Sequence, residues 1–293
     1  MDERTLKNLI YIVTALLIAL LIVVVITIIS SGDDEQAVEV GRSYLESLEE
    51  REPTLNGEIL SSEPTEPSSS SDQPTGETDE SGESTEPTEP SEPSGLSAEQ
   101  LALIDSIRNE EVDIWSMFHD YVILGDSRAV GFWYFDFLPK ENCLTGGGDT
   151  IRNVEMNMDG ILSRNPKYIF MCYGLNDVSI GYWKTKEEYV EEIMIVIADL
   201  QERLPETTVV VSSILPARDP AFELSSKWYN IPDYSAAVEA ACKEAGVIFV
   251  NNDAISEKYA SWWQPDGIHI RPEFYPYWAQ NLIVGLIEGG AYE

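Results

Sequence analysis

The chain has 293 residues, 43% of them hydrophobic, enough for one sizeable core or two small ones. Its 52 acidic and 18 basic residues give a net charge of −34. That excludes a general nucleic-acid binder, which needs clustered Lys and Arg, and argues against peripheral docking on anionic lipid. The three cysteines, Cys143, Cys172 and Cys242, are too few for a disulfide framework and match no metal spacing. They read as small buried apolar side chains, with at most one bridge among them.

Residues 1–8 carry Arg4 and Lys7. Leu9 to Ile29 follows, a run of 21 residues without a charge, long enough to span a bilayer. Asp33, Asp34 and Glu35 lie beyond it. The positive-inside rule then puts residues 1–8 in the cytoplasm and the rest outside the cell. A cleaved signal peptide would usually have a shorter apolar core ending in small residues. Here Val23, Val24, Val25, Ile26, Ile28 and Ile29 occupy that end, so residues 9–29 read as an uncleaved signal anchor.

Residues 30–96 read as an acidic stalk. Residues 31–98 carry 19 acidic against 2 basic residues. From Pro53 to Gly95 the composition is Ser, Thr, Glu, Pro and Gly, which buries no core. Proline and charge repulsion extend such a chain, here to at most about 140 Å.

Residues 97–293 have globular patterning. Leu101, Ile104 and Ile107, then Val112, Trp115 and Phe118, suggest amphipathic helix. Tyr121-Val-Ile-Leu124 is a predicted strand, as are Tyr168–Cys172, Thr208–Ser212 and Val247–Val250. Helices are predicted over 128–135, 185–203, 234–245 and 272–287. Apolar strands alternating with helices imply a parallel sheet covered on both faces, a three-layer α/β/α, flavodoxin-like architecture. Polar residues gather where strands end, the edge at which open parallel sheets bind ligands.

The chain has only two histidines. His119 precedes the first strand. His269 follows Asp266 at a spacing that lets a carboxylate hold the imidazole in one tautomer. Ser127 ends Gly125-Asp126-Ser127, between a strand and a helix. It is either a nucleophile beside helix N–H groups or a simple helix N-cap.

Gly125-Asp126-Ser127 resembles the first block of the SGNH hydrolases, also called GDSL esterases. Gly148-Asp149-Thr150 is similar to the second block, Gly174-Leu175-Asn176-Asp177 to the third, and Asp266-Gly-Ile-His269 to the last. The four occur in family order and the resemblance covers about 120–288. It implies Ser127 as nucleophile, His269 as general base and Asp266 as its orienting carboxylate. It also implies an oxyanion hole made by the Ser127 N–H, the Gly148 N–H and the Asn176 amide. Gly146, Gly147 and Gly148 are consecutive, and Gly148 is chosen because Asp-Thr follows. Asp126 and Asp177 read as structural members whose carboxylates bond loop N–H groups. Arg128 stands where many members have Leu. It either pairs with an anionic substrate or acidic side chain, or is a solvated arginine in the first helical turn. Trp263 and the other aromatics flanking the blocks suit a sugar face, or pack the core and rim.

The expected activity is ester hydrolysis through an acyl-enzyme, with no metal or cofactor. The anchor, stalk and domain resemble a Gram-positive surface enzyme, whose substrate would be an acylated cell-wall or extracellular glycan. The same triad serves an O-acyltransferase, which would need a separate membrane protein to supply acyl groups. A non-catalytic surface binding module is a further alternative. A flavodoxin-like nucleotide binder is disfavoured by the absence of a phosphate-binding glycine loop.

Overall fold

Five short segments pair into one parallel sheet in the order β2-β1-β3-β4-β5. They are β1 (Tyr121–Gly125), β2 (Cys143–Thr145), β3 (Tyr168–Cys172), β4 (Thr208–Ser212) and β5 (Ile248–Val250). The computed structural model describes residues 95–292. The apolar run at 9–29 and nearly all of the stalk lie outside these residues. Among the described residues no helix is long and apolar enough to cross a membrane.

Side chains alternate across the sheet. Val122, Leu124, Ile169, Met171, Val209 and Val211 enter one apolar cluster. Helices α3 (Asn153–Arg164), α5 (Lys186–Arg203) and α7 (Ile231–Ala245) cover that face. Ile123, Phe170, Cys172 and Val210 enter a second cluster, under α1 (Ala98–Arg108), α2 (Ser127–Tyr134) and α9 (Tyr275–Glu288). Strands buried on both faces have no room for polar alternation, which is why they read as continuous apolar runs. The result is the three-layer α/β/α architecture expected from the alternation of strands and helices. Short helices α4 (Leu175–Ile180), α6 (Ala221–Leu224) and α8 (Asp253–Lys258) lie in the connections.

Several elements differ from the sequence reading. The edge strand β2 is three residues long and its burial is partial, so it leaves no apolar run to detect. Helix α3 has no counterpart among the helices expected from the sequence. Residues 112–118 form no α-helix; Asp113 caps a single 3₁₀ turn, Ile114–Met117. Residues 97–118 pack on the domain. Ser97 and Gln100 close a capping box at the start of α1, and Ile104 and Ile107 are buried. Leu101 sits at the rim, 39% exposed. All three cysteines are buried and unbridged.

The strands end in register, Gly125 beside Cys172 and Thr145, and Ser212 beside Val250. The loops that follow all five strands therefore open along one sheet edge. The order reverses at β1, whose neighbours are β2 and β3, and a crevice at such a switch point is where these sheets place ligands.

Candidate active site

The first block is built by Asp126. It is the N-cap of α2, and its Oδ1 accepts the Arg128 N–H at 3.0 Å. Its Oδ2 accepts the Leu175 N–H at 3.3 Å, tying the third block to the first. Because Asp126 does the capping, Ser127 becomes the first helical residue and its hydroxyl is released from that duty. Gly125 must be glycine: a Cβ there would lie 2.5 Å from the Ala129 Cβ and 2.7 Å from the Cys172 carbonyl oxygen.

The last block is a tight loop closed by the Trp263–Ile270 bridge and by Gln264 N–H donating to the His269 carbonyl at 2.7 Å. Asp266 Oδ1 accepts the N–H groups of Ile268 at 2.8 Å and His269 at 3.0 Å. Its Oδ2 meets His269 Nδ1 at 2.7 Å. On the far side of the ring, His269 Nε2 lies 3.0 Å from Ser127 Oγ. So the structure brings Ser127, His269 and Asp266 into one hydrogen-bonded line. Ser127 and His269 are each 1% exposed. Burial acts to raise the Asp266 carboxyl, but the His269 hydrogen bond and charge, with the two backbone N–H groups, hold it below its ordinary value. An ionised Asp266 keeps a proton on Nδ1 and leaves Nε2 to face the serine.

The second and third blocks meet through Asn176, whose Nδ2 donates to the Asp149 carbonyl at 2.9 Å. Asn176 and Ser127 thus belong to one cluster of loops. Of the three consecutive glycines, Gly146 has its N–H occupied by the Gly125 carbonyl at 3.2 Å. Gly148 has a positive φ of 77°, next to the carbonyl that Asn176 holds. Gly174, at φ 130°, lets β3 turn into α4; a Cβ there would run into Ile214.

Asp177 Oδ1 accepts the Ile151 N–H at 2.9 Å, so Asp126 and Asp177 both bond loop N–H groups. Asp177 Oδ2 and the Tyr173 hydroxyl are buried without a hydrogen-bond partner among the described residues. Burial, with Asp126 nearby, pushes Asp177 up to about 7 against the N–H of Ile151. Burial and Asp126 push Asp149 up to about 6.

The two residues offered for substrate contact, Arg128 and Trp263, are both buried. Arg128 is 3% exposed and turns inward. Its Nη1 donates to the Leu215 carbonyl at 2.5 Å and its Nε lies 3.7 Å from Asp126 Oδ1. It therefore pairs with an acidic side chain of the protein and is neither solvated nor open to an anionic substrate. Trp263 is 7% exposed, its Nε1 donating to the Pro216 carbonyl at 3.0 Å. The Arg218 guanidinium covers its ring at 4.7 Å and Phe274 meets it edge-on. It is a post supporting the histidine loop, with no face left for a sugar.

His119 lies at the other end of the sheet, its Nδ1 3.1 Å from the Met117 carbonyl. Sequence reasoning missed the loop after β4. Arg218 N–H donates to the Gly267 carbonyl at 2.8 Å. Gly267 has no Cβ because one would lie 2.1 Å from the Arg218 carbonyl oxygen. No local motif marks this loop, since each of its partners is distant in sequence. Among the described residues no cluster of His, Cys, Asp and Glu could hold a metal ion.

A family model for the GDSL-like lipase/acylhydrolase family matches residues 123–275. The chain belongs to this family. It is thus an esterase/acylhydrolase, with α1 and all of α9 beyond Tyr275 outside the matched span. The GDSL-family chain is similar to a GDSL-like lipase from Bacteroides thetaiotaomicron, at 19% identity and a TM-score of 0.49, covering 64% of this chain and 98% of that one. It is similar to a lipase/acylhydrolase from Enterococcus faecalis, at 16% identity and 0.47, covering 59% and 97%. It is also similar to an acetylxylan esterase from Geobacillus stearothermophilus, at 15% identity and 0.42, covering 58% and 93%. No curated protein matches the chain.

Proposed function

We propose that this GDSL-family acylhydrolase works through an acyl-enzyme on Ser127 and removes short acyl groups, acetyl foremost, from a cell-wall or extracellular glycan. The observation that carries the chemistry is the line Ser127 Oγ to His269 Nε2 at 3.0 Å and His269 Nδ1 to Asp266 Oδ2 at 2.7 Å. Ser127 Oγ attacks the ester carbonyl while His269 Nε2 takes its proton. The carbonyl oxygen becomes an oxyanion, bound by the Ser127 N–H, the Gly148 N–H and the Asn176 amide. Collapse breaks the ester C–O bond, and the leaving alkoxide takes the proton from Nε2. Water then attacks the acyl-serine and gives one proton to Nε2; the second intermediate collapses, the leaving Ser127 Oγ takes that proton back, and the carboxylic acid departs.

Burial of both Ser127 and His269 supports a short acyl group, which displaces the fewest neighbours on its way to Oγ. The glycan rests on the aromatics that flank the blocks in sequence, of which Tyr182, just after the third block, is half exposed. The extracellular setting rests on Arg4 and Lys7 before the uncharged run at 9–29, which would make the chain a single-pass membrane protein. The same burial also favours a second reading, transfer of the acyl group to a sugar hydroxyl, since excluding water preserves the acyl-enzyme. A separate membrane protein would then supply the donor.

The test is hydrolysis of p-nitrophenyl acetate by the full-length chain beside Ser127→Ala and Asn176→Ala. Loss of one oxyanion donor should lower kcat about 10²–10³-fold, and loss of the serine should lower it further. Equal turnover by the parent and Ser127→Ala would sink the acyl-enzyme. Adding an acetylated glycan and a sugar acceptor, then following free acetate against transferred acetyl, separates hydrolysis from transfer.

A further inference from the structure

The nucleophile and the base come from loops 142 residues apart in sequence, and only a 3.0 Å hydrogen bond joins their reacting atoms. A second connection runs underneath. Arg128, the residue after the nucleophile, is buried and donates to the Leu215 carbonyl across 87 positions of chain. The next residue, Pro216, accepts the Trp263 indole N–H at 3.0 Å. Two residues further, Arg218 N–H donates to the Gly267 carbonyl at 2.8 Å, inside the Asp266–His269 loop.

We propose that Arg128 is a positioning residue that sets the approach of His269 Nε2 to Ser127 Oγ, by fastening the start of α2 to the loop after β4, on which the Asp266–His269 loop is docked. The inference rests on the serine-acylhydrolase reading above. Its geometry requires a long, forked cation. Nη1 must reach a main-chain oxygen on the far side of the sheet edge while Nε stays beside Asp126 at 3.7 Å. A planar guanidinium serves both from one side chain, whereas an ammonium is a single point. Tyr275 adds a third hold: its hydroxyl donates to the Arg128 carbonyl at 2.7 Å, in the space left by Gly131.

Electrostatics give Arg128 a second reason to be there. Asp126, Asp149 and Asp177 share one buried region, with Cys172 and Tyr173 also facing it. Arg128 puts a cation beside Asp126, the member that caps α2 and holds the Leu175 N–H. Burial lowers the guanidinium from its ordinary value while Asp126 opposes that shift.

The experiment compares Arg128→Met, Arg128→Lys and Trp263→Phe in the full-length chain. It reads kcat and KM on p-nitrophenyl acetate, the rate at which a fluorophosphonate labels Ser127, thermal melting, and the far-downfield proton resonance of the His269–Asp266 bond. In Arg128→Met, kcat and the labelling rate should each fall about 10²-fold with KM little changed, because a shift of about 1 Å between reacting groups costs that much. Arg128→Lys should recover part of the loss, since it reaches the Leu215 carbonyl but not both partners. The downfield resonance should persist, because the His269–Asp266 pair is closed within its own loop. Trp263→Phe breaks the same linkage one step later. Its effect should combine with Arg128→Met less than multiplicatively.

The proposal fails if folded Arg128→Met keeps its kcat, or if KM rises while kcat holds. It also fails if every variant loses the downfield resonance together with cooperative melting, which would make Arg128 a plain structural residue. A parent that is labelled at Ser127 but hydrolyses nothing would sink the esterase reading, and the labelling rates would still decide the role of Arg128. A parent inert to both would overturn both.

Discussion

The two ends of the sheet are braced by different means. At the end where the strands begin, main-chain bonds predominate, with one buried side-chain bond beside them, Thr207 Oγ1 donating to the Pro166 carbonyl at 2.6 Å. Lys167 and Tyr168 N–H groups donate to the Asp120 carbonyl at 2.8 and 3.1 Å, and Thr208 N–H to the Lys167 carbonyl at 2.9 Å. At the end where they finish, buried side chains hold the loops: Asp126 on Arg128 and Leu175, Asp177 on Ile151, Asn176 on Asp149. Each end holds one of the two histidines. His119 packs edge-on against Tyr168 and Tyr292, with centroids at 5.7 and 5.4 Å. His269 lies between a carboxylate and a serine. Backbone bracing is indifferent to residue type and makes a stable rim. Side-chain bracing is specific and costly, and it is what fixes reacting groups to fractions of an ångström.

Substitutions can test this contrast. His269→Ala should lower kcat about 10⁴-fold or more, and an activity near the parent's would show that the paired carboxylate and serine do not define the working end. Asp177→Asn probes the bracing itself. Asp177 is held at about 7, above its ordinary 3.8. Between those values the folded protein holds a proton that the unfolded chain has released, so stability falls as pH rises through the window. The Tm of the parent should therefore drop between about pH 5 and pH 7.5. Asp177→Asn, which keeps an acceptor for the Ile151 N–H, should flatten that drop by several °C, at about 2–4 °C per kcal/mol for a domain of this size. An unchanged slope would take Asp177 out of the account. His119→Ala should be the mildest: kcat within about twofold of the parent and a Tm lower by a few °C, from the packing lost between two tyrosines. A large loss of activity there would erase the distinction between the two ends.

Much of the site was legible because its four blocks are short and stand in family order, the first and third directly after strands that read as apolar runs. Ser127, Asn176, Asp266 and His269 needed only local sequence and order along the chain. The even choice between nucleophile and cap at Ser127 was resolved by its neighbour, since Asp126 takes the capping role. Arg128 and Trp263 stayed open between substrate contact and internal packing because residue type says only that a guanidinium prefers water and an indole prefers a surface. Their partners, the carbonyls of Leu215 and Pro216, are side-chain-independent groups that no motif records. Strand β2 and the packing of α1 on α9 escaped for a related reason: three residues make no period, and a helix does not state which neighbour buries Ile104 and Ile107.

Cys143, Cys172 and Cys242 lie in the core without a cross-link. Burial pushes Cys143 and Cys242 up to about 12 and raises Cys172 as well, so none offers a thiolate near neutral pH. The domain therefore asks nothing of an oxidising folding environment. A reducing or an oxidising surrounding leaves it to assemble with the same covalent structure.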